Sequence, residues 1–119
     1  MQTYTEKYCE LKGGSLLVHM PRELGHHEAD QLRQEADRVI GTCQVRQLVF
    51  DFSETEFMDS SGIGVIIGRC RSMGYHGGEV VARNLNDRLQ KIFVVSGLHR
   101  LIRTEQAEEE NTQKGNGEQ

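Results

Sequence analysis

Residues 47–52 (Gln-Leu-Val-Phe-Asp-Phe) leave the chain little freedom of fold. The run has strand length and is almost wholly apolar, as required of a strand covered on both faces or lying centrally in a sheet. On either side, apolar residues recur at spacings of three and four. Over residues 26–43, Ala29, Leu32, Ala36, Val39, Ile40 and Cys43 form one helical face, and from about residue 60 to 73, Ile63, Ile66, Ile67, Cys70 and Met73 form another. A buried strand between two amphipathic helices implies crossover units and an α/β fold with a mostly parallel sheet.

Residues 4–11 and 15–20 are β-leaning runs separated by Lys12, Gly13 and Gly14, and a Gly-Gly pair accepts the positive φ of a tight hairpin turn. Pro21 has no amide hydrogen to donate to a sheet, so it ends the second run. Gly74, Gly77 and Gly78 stop the second helix, and residues 79–83 read as the next strand. Leu85, Leu89, Ile92 and Phe93 mark a third, shorter helix closed by Ser96 and Gly97, where glycine suits the left-handed cap. Residues 98–103 are expected to contain the last strand. The expected architecture is one α/β domain over residues 1–104, with a mixed, mostly parallel sheet, an antiparallel N-terminal strand and flanking helices. Residues 105–119 are expected to form an acidic polar tail, a frayed helical turn followed by disorder.

At 119 residues, 36% hydrophobic and 27% charged, the chain suits one soluble domain with one core. No apolar run approaches the ~20 residues of a membrane-spanning helix, which argues against membrane association. The first six residues lack the basic segment and apolar core of a secretory signal, so a cytoplasmic location is expected. The net charge of −4 resides in residues 105–119, whereas residues 1–104 balance 13 bases against 13 acids. A neutral body has no basic footprint for nucleic acid, so any effect on transcription runs through another protein. Cys9, Cys43 and Cys70 are widely spaced, without a CxxC pair, and read as reduced thiols.

Residues 53–58 are expected to be loop, and residues 57–64 (Phe-Met-Asp-Ser-Ser-Gly-Ile-Gly) lie between the central strand and the second helix. Asp59 suits the N-cap, its carboxylate accepting an amide hydrogen two or three residues on, while Met58 can pack on Ile63 as a hydrophobic staple. Ser53 and Glu56 also have capping-box spacing, but no apolar helical run starts there. Capping by Asp59 leaves Ser60 at the first helical position with a free hydroxyl. A phosphate there would sit over the positive end of a helix, which favours anions. By spacing alone, such a start serves plain capping as readily as modification.

Residues 57–69 resemble the phosphorylation-site segment of anti-sigma-factor antagonists of the STAS family, notably the anti-sigma-F antagonists of sporulating bacteria. The likeness extends to Glu23, Leu24, His26 and His27, which resemble the Gly-Glu-Leu-Asp-His-His stretch of that family. It also takes in residues 77–81, residues 95–98 and Leu101-Ile102, covering roughly residues 15–104. The resemblance implies a regulatory binding module and not an enzyme. Its partner is an anti-sigma factor that is itself a serine kinase, and binding frees the sigma factor. The kinase phosphorylates Ser60, which releases the partner, and a serine phosphatase restores the unmodified form. The implied partner-binding residues are Glu23, His26, Asp59, Ser60, Ser61 and Gly62. No catalytic residue, metal or cofactor is implied for this chain, since ATP and magnesium belong to the kinase. Two departures fall on the loop expected to border the partner: Gly25 stands where the family usually has Asp, and Pro21-Arg22 replaces a small residue and glycine. A stress-response STAS module acting with another kinase, or a small nucleotide-binding protein, are the alternatives.

Other patterns carry less. His26 and His27 are adjacent on a helix start without a third ligand, so an ordinary surface pair is the reading. Gly62, Gly64 and Gly68 are spaced GxGxxxG, not GxGxxG, and read as small residues for close helix packing. Met58 occupies the first glycine position of a GxSxG hydrolase motif. Arg69 and Arg71 read as surface charges complementing the helix dipole, and Arg88 and Lys91 as solvated residues that could join a partner surface.

Overall fold

The computed structural model describes residues 3–75 and 78–106. Its first half runs β1 (Thr3–Thr5), β2 (Cys9–Lys12), β3 (Ser15–His19), β4 (Glu23–Leu24), α1 (His26–Thr42) and β5 (Gln47–Asp51). The second half runs β6 (Phe57–Met58), α2 (Ser60–Tyr75), β7 (Glu79–Arg83), α3 (Asp87–Ser96), a 3-10 turn (Leu98–Arg100) and β8 (Arg103–Glu105). Six strands form one sheet in the order β1-β2-β3-β5-β7-β8. The first three are antiparallel, and β3, β5, β7 and β8 are parallel. The expected mixed sheet is thus present, with the apolar run at its centre.

Leu48 and Phe50 of β5, with Phe52 just beyond, share the core with Leu16 and Val18 of β3 and Ala82 of β7. Leu32, Ala36 and Val39 of α1 and Ile66 and Met73 of α2 complete it. Burying each large side chain here contributes roughly 1.5–3 kcal/mol. Phe93 of α3 meets Phe52 edge to face, with ring centroids 5.7 Å apart, which seats the third helix against the end of the central strand. The two-residue turn between Lys12 and Ser15 uses Gly13 at φ 65°, a conformation costly for any residue with a Cβ. Gly97, at φ 84°, closes α3 as the sequence predicts.

Three expectations change. Residues 4–11 form two short strands that pair with each other, Tyr4 opposite Leu11, and not one strand. The cause lies in α1: the Glu35 carboxylate, only 8% exposed, accepts the amides of Tyr8 at 2.9 Å and Cys9 at 3.2 Å. Those bonds hold the turn between β1 and β2, which the Glu6 amide closes onto the Cys9 carbonyl at 2.8 Å. The last strand starts later than expected, at Arg103. The Leu98 carbonyl takes the amides of Leu101 and Ile102, so the chain makes a 3-10 turn before it can pair with β7. Residues 57–58, expected to be loop, pair in parallel with β4. The predicted frayed turn and disorder of the acidic tail concern residues that fall almost wholly outside the described ones.

Candidate regulatory site at the start of the second helix

The two-stranded β4–β6 pairing draws the loop before α1 and the loop before α2 together. Glu23 lies opposite Phe57 and Leu24 opposite Met58. The Arg22 carbonyl accepts the amides of Glu56 and Phe57, and the Leu24 carbonyl accepts that of Asp59 at 3.2 Å. Thr55, buried, donates its hydroxyl to the Pro21 carbonyl at 2.9 Å, and the Asn86 side chain donates to the Thr55 carbonyl at 3.2 Å. Asn86 also caps α3, accepting the Leu89 amide at 2.9 Å. The start of each long helix is therefore tied to the same cluster of backbone bonds, at the ends of the parallel strands.

Asp59 caps α2 as expected. Its Oδ1 accepts the Ser61 amide at 2.8 Å, and its carbonyl accepts the Gly62 amide at 3.1 Å. Met58 beneath the cap is buried. Gly62 is buried too, because a Cβ there would stand 2.5 Å from Met58 Cγ and 2.8 Å from Leu24 Cδ2. The close-packing explanation holds for Gly62 alone among the three glycines, since a Cβ on Gly64 or Gly68 would meet nothing within 4 Å. Gly25 starts α1 by donating its amide to Glu28 at 3.3 Å, and a Cβ there would lie 3.8 Å from Asp59 Oδ2. The departure from the usual Asp thus falls directly beside the cap of α2.

The two serines look in different directions. Ser60 is exposed and lines a cavity of about 350 Å³ between α2 and α3, with Asp59, Ile63, Lys91, Val95 and Ser96. Ser61 is half-buried and lines a groove of about 240 Å³ between α1 and α2, with His26, Asp30, Arg33 and Arg69. Glu23 and His26 are exposed nearby, so the expected site residues other than Gly62 reach the same end of the domain at least partly open to solvent. Among the described residues, no group of three or more His, Cys, Asp or Glu could hold a metal ion, and no helix is long and apolar enough to cross a membrane.

Some residues were misread or missed. Arg69 is not a surface charge: it is only 9% exposed, with Nε 3.1 Å from Asp37 of α1, and burial lowers its pKa. Phe57, Val94 and Val95 are exposed apolar residues, Val95 to 88%. Val94 and Val95 fall outside the Leu89/Phe93 stripe of α3, a signal available in the sequence. Two thiols are held protonated: burial, then the neighbouring Glu35 charge, pushes Cys9 up to about 12, and burial pushes Cys70 up to about 11.

Residues 8–111 match the STAS domain family. The chain belongs to the STAS domain family. Among curated STAS relatives it is 35% identical to the anti-sigma F factor antagonist of Paenibacillus polymyxa, over 75% of this chain and 76% of the relative. It is also 36% identical to the anti-sigma-B factor antagonist of Listeria monocytogenes, over 53% of this chain and 55% of the relative. Among solved STAS structures, it resembles the Bacillus cell fate determinant SpoIIAA in its phosphorylated form. That likeness has a TM-score of 0.69 and 27% identity, over 91% of this chain and 92% of the other.

Proposed function

We propose that this STAS domain is an anti-sigma factor antagonist switched by phosphorylation of Ser60. The unmodified chain binds an anti-sigma factor that is also a serine kinase, through the surface around Glu23, His26, Asp59, Ser60 and Ser61, and so releases the sigma factor. The kinase then phosphorylates Ser60, and the modified antagonist dissociates until a serine phosphatase resets it. The chain supplies the acceptor hydroxyl and no catalytic group. It acts in the cytoplasm, without contact to nucleic acid or membrane.

The observation that carries this reading is the exposed Ser60 hydroxyl on the first residue of α2, beside an Asp59 carboxylate already committed to the Ser61 amide. Relatives named as antagonists and a phosphorylated structural neighbour support it. A phosphate adds about −1.5 to −2 charges at neutral pH, at a helix end that tolerates an anion. Weakening a complex tenfold takes only ~1.4 kcal/mol, within reach of that added charge and bulk at a contact, so no refolding is required.

Relatives on both the sigma-F and sigma-B sides leave a stress-response pathway as a second reading; the sigma-F relative combines 35% identity with 75% of this chain, whereas sigma-B relatives reach 36% over 53% or 27% over 90%. Incubation with the cognate kinase and ATP should add one phosphate at Ser60, and Ser60→Ala should abolish it. Mass spectrometry placing the phosphate on Ser61 or elsewhere would overturn the assignment.

A further inference from the structure

The cavity beside Ser60 has one wall from α2 and one from α3. Met58, Ile63, Ile92 and Val95 give it an apolar lining, and Asp59, Ser60, Lys91 and Ser96 supply its polar groups. It is an open groove of about 350 Å³. Of the charged groups lining it, Asp59 has spent an oxygen on the Ser61 amide. Lys91, exposed on α3, makes no hydrogen bond or ion pair among the described residues and is the only cation on the wall. The groove beside Ser61 differs in this respect. Its two arginines each have an acidic partner, Arg33 with Asp30 at 2.9 Å and Arg69 with Asp37 at 3.1 Å, although Arg69 Nη1 is buried there without a hydrogen-bond partner among the described residues. Among the described residues, the cation without an acidic partner therefore lines the wall beside Ser60, whereas both arginines beside Ser61 are ion-paired.

We infer that this cavity is the seat of the phosphate carried by Ser60, with the Lys91 ammonium as its counter-charge. The inference rests on the reading of Ser60 as the modified residue. A phosphate attached to Ser60 shares this groove with Lys91, so the two can pair without any cost of encounter. Phosphorylation then fills a recess next to the exposed Val95, in addition to placing charge at the start of α2. Lys91 is a positioning residue in this scheme and takes no part in phosphoryl transfer.

The test places phosphoserine at position 60 during translation, so that no kinase is needed, and follows the phosphate by 31P NMR as pH is varied. No histidine lines the cavity, which leaves Asp59 and Lys91 as the charges that bear on the phosphate. Lysine favours the dianion, so Lys91→Gln should move the second ionisation of the phosphate upward by about half a pH unit. Lys91→Arg should preserve the parent value. Arg88→Gln, which removes a charge from α3 outside the cavity wall, should leave it unchanged. An unaltered titration in Lys91→Gln, or an equal shift in Arg88→Gln, would overturn the inference. Failure of the kinase to modify Ser60 would instead refute the proposed function and leave the 31P result standing.

Discussion

The amide of Ser61 donates to the carboxylate of Asp59 across 2.8 Å, and this bond divides the work among three adjacent residues. Asp59 holds the helix start, Ser61 provides the amide and turns toward α1, and Ser60 between them keeps an exposed hydroxyl. Asp59→Ala should cost about 1 kcal/mol of stability, the usual value of an N-cap, whereas Asp59→Asn should cost much less because it keeps an acceptor. Urea denaturation measures both. Equal stability of the alanine variant would show that the cap is not holding α2.

Gly62 and Gly68 should respond to alanine with opposite signs. The new Cβ at position 62 would run into Met58 and Leu24, and overpacking of this kind costs typically 1–3 kcal/mol. At position 68 the Cβ meets nothing within 4 Å, so the better helix propensity should stabilise by about 0.5–1 kcal/mol. Thermal melts of the two variants check the pair. A stabilised Gly62→Ala protein would contradict the packing described.

Glu35 is the residue on which the N-terminal strands depend. Removing its carboxylate in Glu35→Ala leaves the Tyr8 and Cys9 amides without their acceptor in a buried turn, at a cost of about 2–3 kcal/mol. Glu35→Gln retains one acceptor oxygen and should lose less. Hydrogen exchange at those two amides should rise in step with the loss of stability. Unchanged protection in the alanine variant would mean that another group holds the turn.

Raised thiol pKa values give the domain a defined alkaline weakness. Cys9 and Cys70 ionise near 9.0 when unfolded but only at about 12 and about 11 when folded, because burial opposes the thiolate. The folded chain thus holds protons that the unfolded chain gives up, so the stabilisation is complete below pH 9 and is lost as pH rises toward 11–12. The urea midpoint should fall above pH 9, and Cys9→Ala with Cys70→Ala should flatten that fall. A midpoint that declines equally in the double variant would assign the effect to other groups.

Sequence and structure agree wherever the signal is local. The Gly13-Gly14 turn, the Gly97 cap, the Asp59 cap and the apolar run of β5 each state their conformation within a few residues. The misses come from partners distant in sequence. Nothing near residues 4–11 announces that Glu35 will capture the turn at Tyr8, and nothing near Arg69 announces that Asp37 will draw it between two helices. The β4–β6 pair is two residues long and exists because the Arg22 and Leu24 carbonyls meet the amides of the other loop. At the site, the helix start with its Asp59 cap was legible, but the wall facing Ser60 belongs to α3, whose first lining residue, Lys91, is 31 positions away, and emerged only with the fold.

The central claim is that a phosphate on Ser60 repels the partner without unfolding the domain. The most direct measurement is calorimetric titration of the anti-sigma factor kinase with the unmodified chain and with the chain carrying phosphoserine at position 60, alongside their melting curves. The modified chain should bind at least about tenfold more weakly while its melting temperature stays within a few degrees. Equal affinity of the two forms, or loss of binding that tracks with an unfolded domain, would contradict it.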